Sequence, residues 1–87
     1  MSEAATQSDI ARWLTEGTSK GATHVIVVCD TFDHGDFPVY VMPGQNPREV
    51  MEKESKKEMQ RVMEVYSLTG KHTIADQVRE YRAFHYD

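Results

Sequence analysis

Apolar positions along the chain change period several times, and each change marks an element. Ile10, Trp13 and Leu14 recur at i, i+3, i+4, with Asp9, Arg12 and Glu16 on the opposite face, which predicts an amphipathic helix over about 7–19. Thr6 stands at its N-cap position with Asp9 three residues on, a T-x-x-D capping box, and Gly17 and Gly21 mark its end and the turn out. Over 23–31 the period is lost: Val25, Ile26, Val27 and Val28 are contiguous and β-branched. Such a run suits a strand buried on both faces, at the centre of a sheet. A second strand is expected over 38–42, with Pro38 tolerated at its first position and Pro43-Gly44 ending it. The intervening FDHGDF loop makes the pair an antiparallel hairpin.

Asn46-Pro47-Arg48-Glu49 is a helix start, with a capping side chain, a proline at the first helical position and a first-turn carboxylate. Val50 and Met51 follow, then seven polar residues, 52–58. Over 59–68 two readings compete. One continues the helix on the spacing of Met59, Val62, Met63, Val65 and Tyr66. The other ends the helix near Lys57 and makes 59–68 a third strand. The polar gap offers no core face for two turns, and Val62, Val65 and Tyr66 are good strand formers, so the strand is preferred. Thr73 with Asp76 caps a last helix carrying Ile74, Val78 and Tyr81, and the aromatics of RAFHYD are expected to fold back on the core edge.

The expected fold is therefore a single α+β, two-layer domain over 1–87, with element order α-β-β-α-β-α. Its three-stranded antiparallel or mixed sheet has strand one in the centre. At 87 residues the chain buries only about 60–65% of its unfolded surface, which leaves no room for a deep cofactor cavity. Function then belongs to a surface, a groove or an interface.

Charge narrows the partners. The net charge is −4, and 1–46 carries all of it, with two basic and six acidic residues against eight of each in 47–87. An acidic domain without a basic stripe is a poor nucleic-acid binder. The longest apolar run, 25–29, is far short of a membrane span, and the first residues lack a basic, apolar leader pattern. One cysteine forms no internal disulfide. The expected location is cytoplasmic, with no nucleic acid and no membrane as partner.

Candidate chemistry is concentrated in 29–36, where Asp30, Asp33, His34 and Asp36 lie beside Cys29. Carboxylates and an imidazole suit a divalent metal or a small ligand. The spacing of three between the aspartates is not that of a calcium loop, and Asp and Gly also simply fill turns. Cys29 beside Asp30 lacks the positive surroundings of a nucleophilic thiolate. His24, His72 and His85 are scattered, with no i, i+4 metal pair, and no phosphate-binding or catalytic motif occurs. No catalytic residue and no cofactor is expected, with a divalent metal as the alternative.

Methionines and tyrosines exceed the needs of a thin core; filling the sheet with large side chains is the preferred reading, and a partner surface using some of them is the other, since such residues are over-used on adaptable interaction surfaces. If the helices cover one sheet face, Tyr40, Met42, Met63 and Val65 are candidates for the other, and packing two such faces about a two-fold axis predicts a homodimer. The competing view divides the helices between both faces and leaves a monomer.

The segments GATHVIVVCDTFDHGDFPVYVMPGQ, MQRVMEVYSLTG and EYRAFHYD resemble a family of small uncharacterised proteins from bacteria and their phages. The resemblance implies a cytoplasmic accessory protein, often phage-associated, with no known activity and no site residues to carry over. Residues 52–57 depart from the family pattern, which has a short glycine-containing turn there. The function expected is a non-enzymatic protein-interaction module, a phage or prophage factor that binds and modulates a host protein. The alternative is a small-ligand or metal-binding protein using 29–36.

Overall fold

The computed structural model describes residues 5–32, 35–80 and 83–87. Six elements follow in the expected order: α1 Gln7–Lys20, β1 His24–Asp30, β2 Asp36–Val41, α2 Pro47–Ser55, β3 Gln60–Ser67 and α3 Ile74–Glu80. The competition over 59–68 resolves as a strand, with α2 ending at Ser55. Both capping-box bonds of Thr6 and Asp9 are present, and the Asn46 side chain accepts from the backbone N–H of Arg48 and Glu49.

The sheet has the order β2-β1-β3, antiparallel throughout, so β1 is central. The contiguous run over β1 is explained by cover on both faces. Val25 and Val27 pack with Ile10, Trp13 and Leu14 of α1 and Tyr66 of β3, alongside Ile74 and Val78 of α3. Ile26 and Val28 point the other way, with Val41 and Val65, under Val50 and Met51 of α2 and under Tyr86. Each fully buried aliphatic is worth about 1.5–3 kcal/mol, so both faces contribute to stability. A register shift between Val27 and Val28 opposes Met63 to the regular ladder and lets Met63 join the α1 side.

This arrangement corrects the expectation of helices on one face. α1 and α3 lie on one side of the sheet and α2, with Tyr86, on the other. Tyr40, Met42, Met63 and Val65 consequently share no face. Tyr40 and Met63 pack with the α1 cluster, Val65 is fully buried in the α2 cluster, and Met42 lies just past the end of β2. The uncovered face on which a homodimer was to form is not there.

Both strand edges are occupied or blunted. The outer side of β3 is joined by 83–85: Val65 N–H donates to Ala83 O and His85 N–H to Val65 O, each at 2.9 Å, a parallel bridge between Val65 and Phe84. On β2, the bond from Asp30 N–H to Gly35 O fixes which residues face β1. Phe37, Val39 and Val41 share that inward orientation, so Pro38 presents its missing N–H at the outer edge.

α1 approaches the sheet closely at Gly17. A Cβ placed there would lie 2.9 Å from Leu68 Cδ1, 3.0 Å from Val25 Cγ2 and 3.3 Å from Tyr40 Cδ1.

Candidate functional site

Strand register brings the β1–β2 connection and the start of β3 to one end of the sheet. Val28 pairs with Phe37, Cys29 with Asp36 and with Arg61, and Thr31 N–H donates to Met59 O at 2.8 Å. Three large apolar side chains stand exposed at this end: Phe32 (74%), Met59 (55%) and Phe37 (36%). Met59 adopts φ +63°, a left-handed conformation that costs a side-chain-bearing residue, and the bond from Thr31 holds it there. Asp30, Asp36 and Glu58 border these residues, with Arg61 as the nearest cation on β3.

The carboxylates expected to bind a metal or ligand already have protein donors. Asp30 Oδ1 accepts from Phe32 N–H at 2.8 Å, closing a side-chain-capped turn, and Asp36 Oδ2 accepts from Ala5 N–H at 2.8 Å. Asp33 and His34 lie outside the described residues. Among the described residues no three His, Cys, Asp or Glu side chains form a group that could hold a metal ion. The Cys29 thiol is pushed up by burial first and then by its hydrogen bond to Asp36, which keeps it protonated at neutral pH and a poor nucleophile.

The tyrosine expected at an interaction face is held by α1 instead. Tyr40 OH donates to Glu16 Oε2 at 3.2 Å and Lys20 Nζ sits 5.2 Å from its ring centroid. Burial, then the bond to Glu16, pushes its hydroxyl pKa up. An open depression of about 270 Å³ lies between the β2–α2 turn and α2, lined by Gln45, Asn46, Glu49, Val50 and Lys53. It falls below the usual size of a small-molecule pocket.

Sequence reading missed a second cluster. His72 and His85 stack with ring centroids 3.9 Å apart and planes inclined by 10°. The fully buried Gln77 side chain and the Glu80 carboxylate meet His85, and Asp87 meets His72. His24, almost fully buried, has Nε2 3.0 Å from Tyr86 O. Burial holds the His24 pKa below its ordinary value, against the opposing pull of that carbonyl and of Asp87. These histidines are 48 and 13 residues apart in sequence, from 24 to 72 and 72 to 85. The return of 83–87 brings His85 onto His72 and Tyr86 onto His24. The one sequence signal is the alternation in AFHY, where Phe84 and Tyr86 fall on one side and Ala83 and His85 on the other.

No protein-family model, curated protein or solved structure matches the chain. No helix among the described residues is long and apolar enough to cross a membrane.

Proposed function

We propose that this domain is a non-enzymatic protein-interaction module that engages its partner through the end of the sheet bearing Phe32, Phe37 and Met59. One observation carries the reading: both sheet faces and the β3 edge are covered, yet of the five large apolar side chains exposed among the described residues, three lie at a single end. Grouped exposed apolar residues rimmed by charge mark partner surfaces more often than scattered ones do. The rim is acidic, from Asp30, Asp36 and Glu58, so the complementary partner is a protein with an apolar patch bordered by Lys or Arg. Asp30 and Asp36 each also accept a backbone N–H, from Phe32 and Ala5, which favours a role in the fold.

The resemblance to small bacterial and phage proteins supplies the setting: a cytoplasmic accessory factor that binds and modulates a host protein. The test is capture from a bacterial lysate at physiological salt with the native chain and with a Phe32→Ser/Met59→Ser double variant. A basic protein retained by the native chain and lost by a folded double variant supports the reading, and equal retention or none by either overturns it. Light scattering on the chain alone separates this from self-association, which would double the 10.0 kDa mass.

A further inference from the structure

The segment 83–87 is held by side chains from several elements. Besides its bridge to β3, Thr69 Oγ1 donates to Asp87 O at 2.7 Å, His72 Nε2 lies 3.2 Å from Asp87 Oδ1, and His24 Nε2 lies 3.0 Å from Tyr86 O. On the far side of the sheet the Arg48 guanidinium sits 4.1 Å from the Tyr86 ring centroid.

The protonation demanded of His85 follows from Gln77. Gln77 Nε2 donates to Ser67 O and Gln77 Oε1 accepts from Ser67 N–H, both at 2.7 Å. Turning the amide over would set donor against donor and oxygen against oxygen, so its orientation is fixed. His85 Nδ1 lies 3.0 Å from the same Oε1, and an amide oxygen only accepts, so Nδ1 must carry hydrogen. The other ring nitrogen, Nε2, lies 3.3 Å from Glu80 Oε2, an ion-pair distance. A neutral imidazole with its hydrogen on Nδ1 turns the Nε2 lone pair toward that carboxylate, whereas the imidazolium turns a positive charge toward it.

We propose that 83–87 is a strap fastened by a proton: on taking it, His85, already bonded to Gln77, pairs with the Glu80 carboxylate and is drawn onto α3 and β3. Among the described residues, the charged and ionisable groups facing the strap are Glu80 on α3, His72 and Asp87 beside the stack, His24 under Tyr86 and Arg48 of α2 over its ring. One proton suits the stack better than two, because a second would set two cations 3.9 Å apart. His24 acts in the opposite sense: burial favours its neutral ring, although the Tyr86 carbonyl and Asp87 pull the other way, so stronger acid favours opening around it. The strap is therefore tightest in mild acid and looser at alkaline pH. Unfastening it leaves the N–H and C=O of Val65 without their strand partner.

Amide hydrogen exchange read by NMR at His85, corrected for intrinsic exchange at each pH, tests this. Protection at His85 should rise about two- to fivefold between pH 8 and pH 6, the size of one exposed charged pair, while the Val25 and Ile26 amides stay unchanged. Glu80→Gln keeps an accepting oxygen without the charge and should flatten the rise. His72→Phe keeps a stacked ring that does not titrate and should preserve it. A native chain with no rise, a Glu80→Gln chain that keeps the full rise, or a His72→Phe chain that loses it would each overturn the proposal.

Discussion

The side-chain amide of Gln77 bonds both backbone groups of Ser67, at 2.7 Å each, as a neighbouring strand would. α3 thereby completes the hydrogen bonding at the end of β3, and Gln77 is fully buried in doing so. Replacing it with leucine keeps the volume and strands the Ser67 N–H and C=O together with His85 Nδ1. Leaving a buried polar group unmade costs about 1–3 kcal/mol, so Gln77→Leu should lose about 2–4 kcal/mol. For a domain of this size that is a fall in melting temperature of about 10 °C or more, readable by circular dichroism. A fall of under 2 °C would mean that Ser67 finds water instead.

Gly17 tests the contact of α1 with the sheet. In an open helix, alanine in place of glycine gains about 1 kcal/mol. Here the new methyl meets the fixed γ-methyl of the fully buried Val25 at 3.0 Å, and overpacking costs about 1–3 kcal/mol. Gly17→Ala should therefore destabilise by about 1 kcal/mol in urea denaturation. A gain would show that Leu68 and Tyr40 yield without cost.

Met59 is predicted to trade stability for binding. Its left-handed backbone suits glycine, and its side chain is more exposed than buried. Met59→Gly should stabilise the domain by about 0.5–1 kcal/mol and weaken retention of the partner. A variant that is both less stable and fully binding would remove Met59 from the proposed surface.

His24 sets a pH dependence with a definite sign. Its folded pKa lies below the ordinary 6.5, because burial disfavours the charged ring. Between 6.5 and that lowered value the unfolded chain binds a proton that the folded chain does not. The stability His24 contributes is thus full above pH 6.5 and is lost as the pH falls toward the folded value. The difference in unfolding free energy between the native chain and His24→Gln, measured in urea from pH 7.5 to 4.5, should shrink or reverse on the acid side. A difference that stays flat would show that His24 is hydrated in the folded protein.

Element identity was legible because each element announces itself locally. Thr6 and Asp9 cap α1, Asn46 and Pro47 start α2, and the polar gap before Met59 forbids one long helix. Division of the helices between two faces was implied by the contiguous Val25–Val28 run, which needs cover on both sides, but no local pattern says which helix supplies it. The histidine contacts were illegible for the same reason: His72 meets His85, and His24 meets Tyr86, only through a long-range return of the chain. The bonds that Asp30 makes within its turn and Asp36 makes to Ala5 were not legible, because composition alone does not say which backbone N–H a carboxylate will meet.

Closure of the sheet at both sides bears on how the protein behaves when heated or concentrated. With Pro38 at the outer edge of β2, that side offers a poor template for another chain's strand. Among the described residues, the outer edge of β3 is shielded at Val65 by 83–85, through a single bridge, and at Ser67 by Gln77. Detachment of that short segment, well before the core melts, would bare a strand ready to recruit a neighbour. Aggregation should then be governed by the local opening of 83–87 and not by global unfolding. Its onset would move with solution pH even where the melting temperature does not.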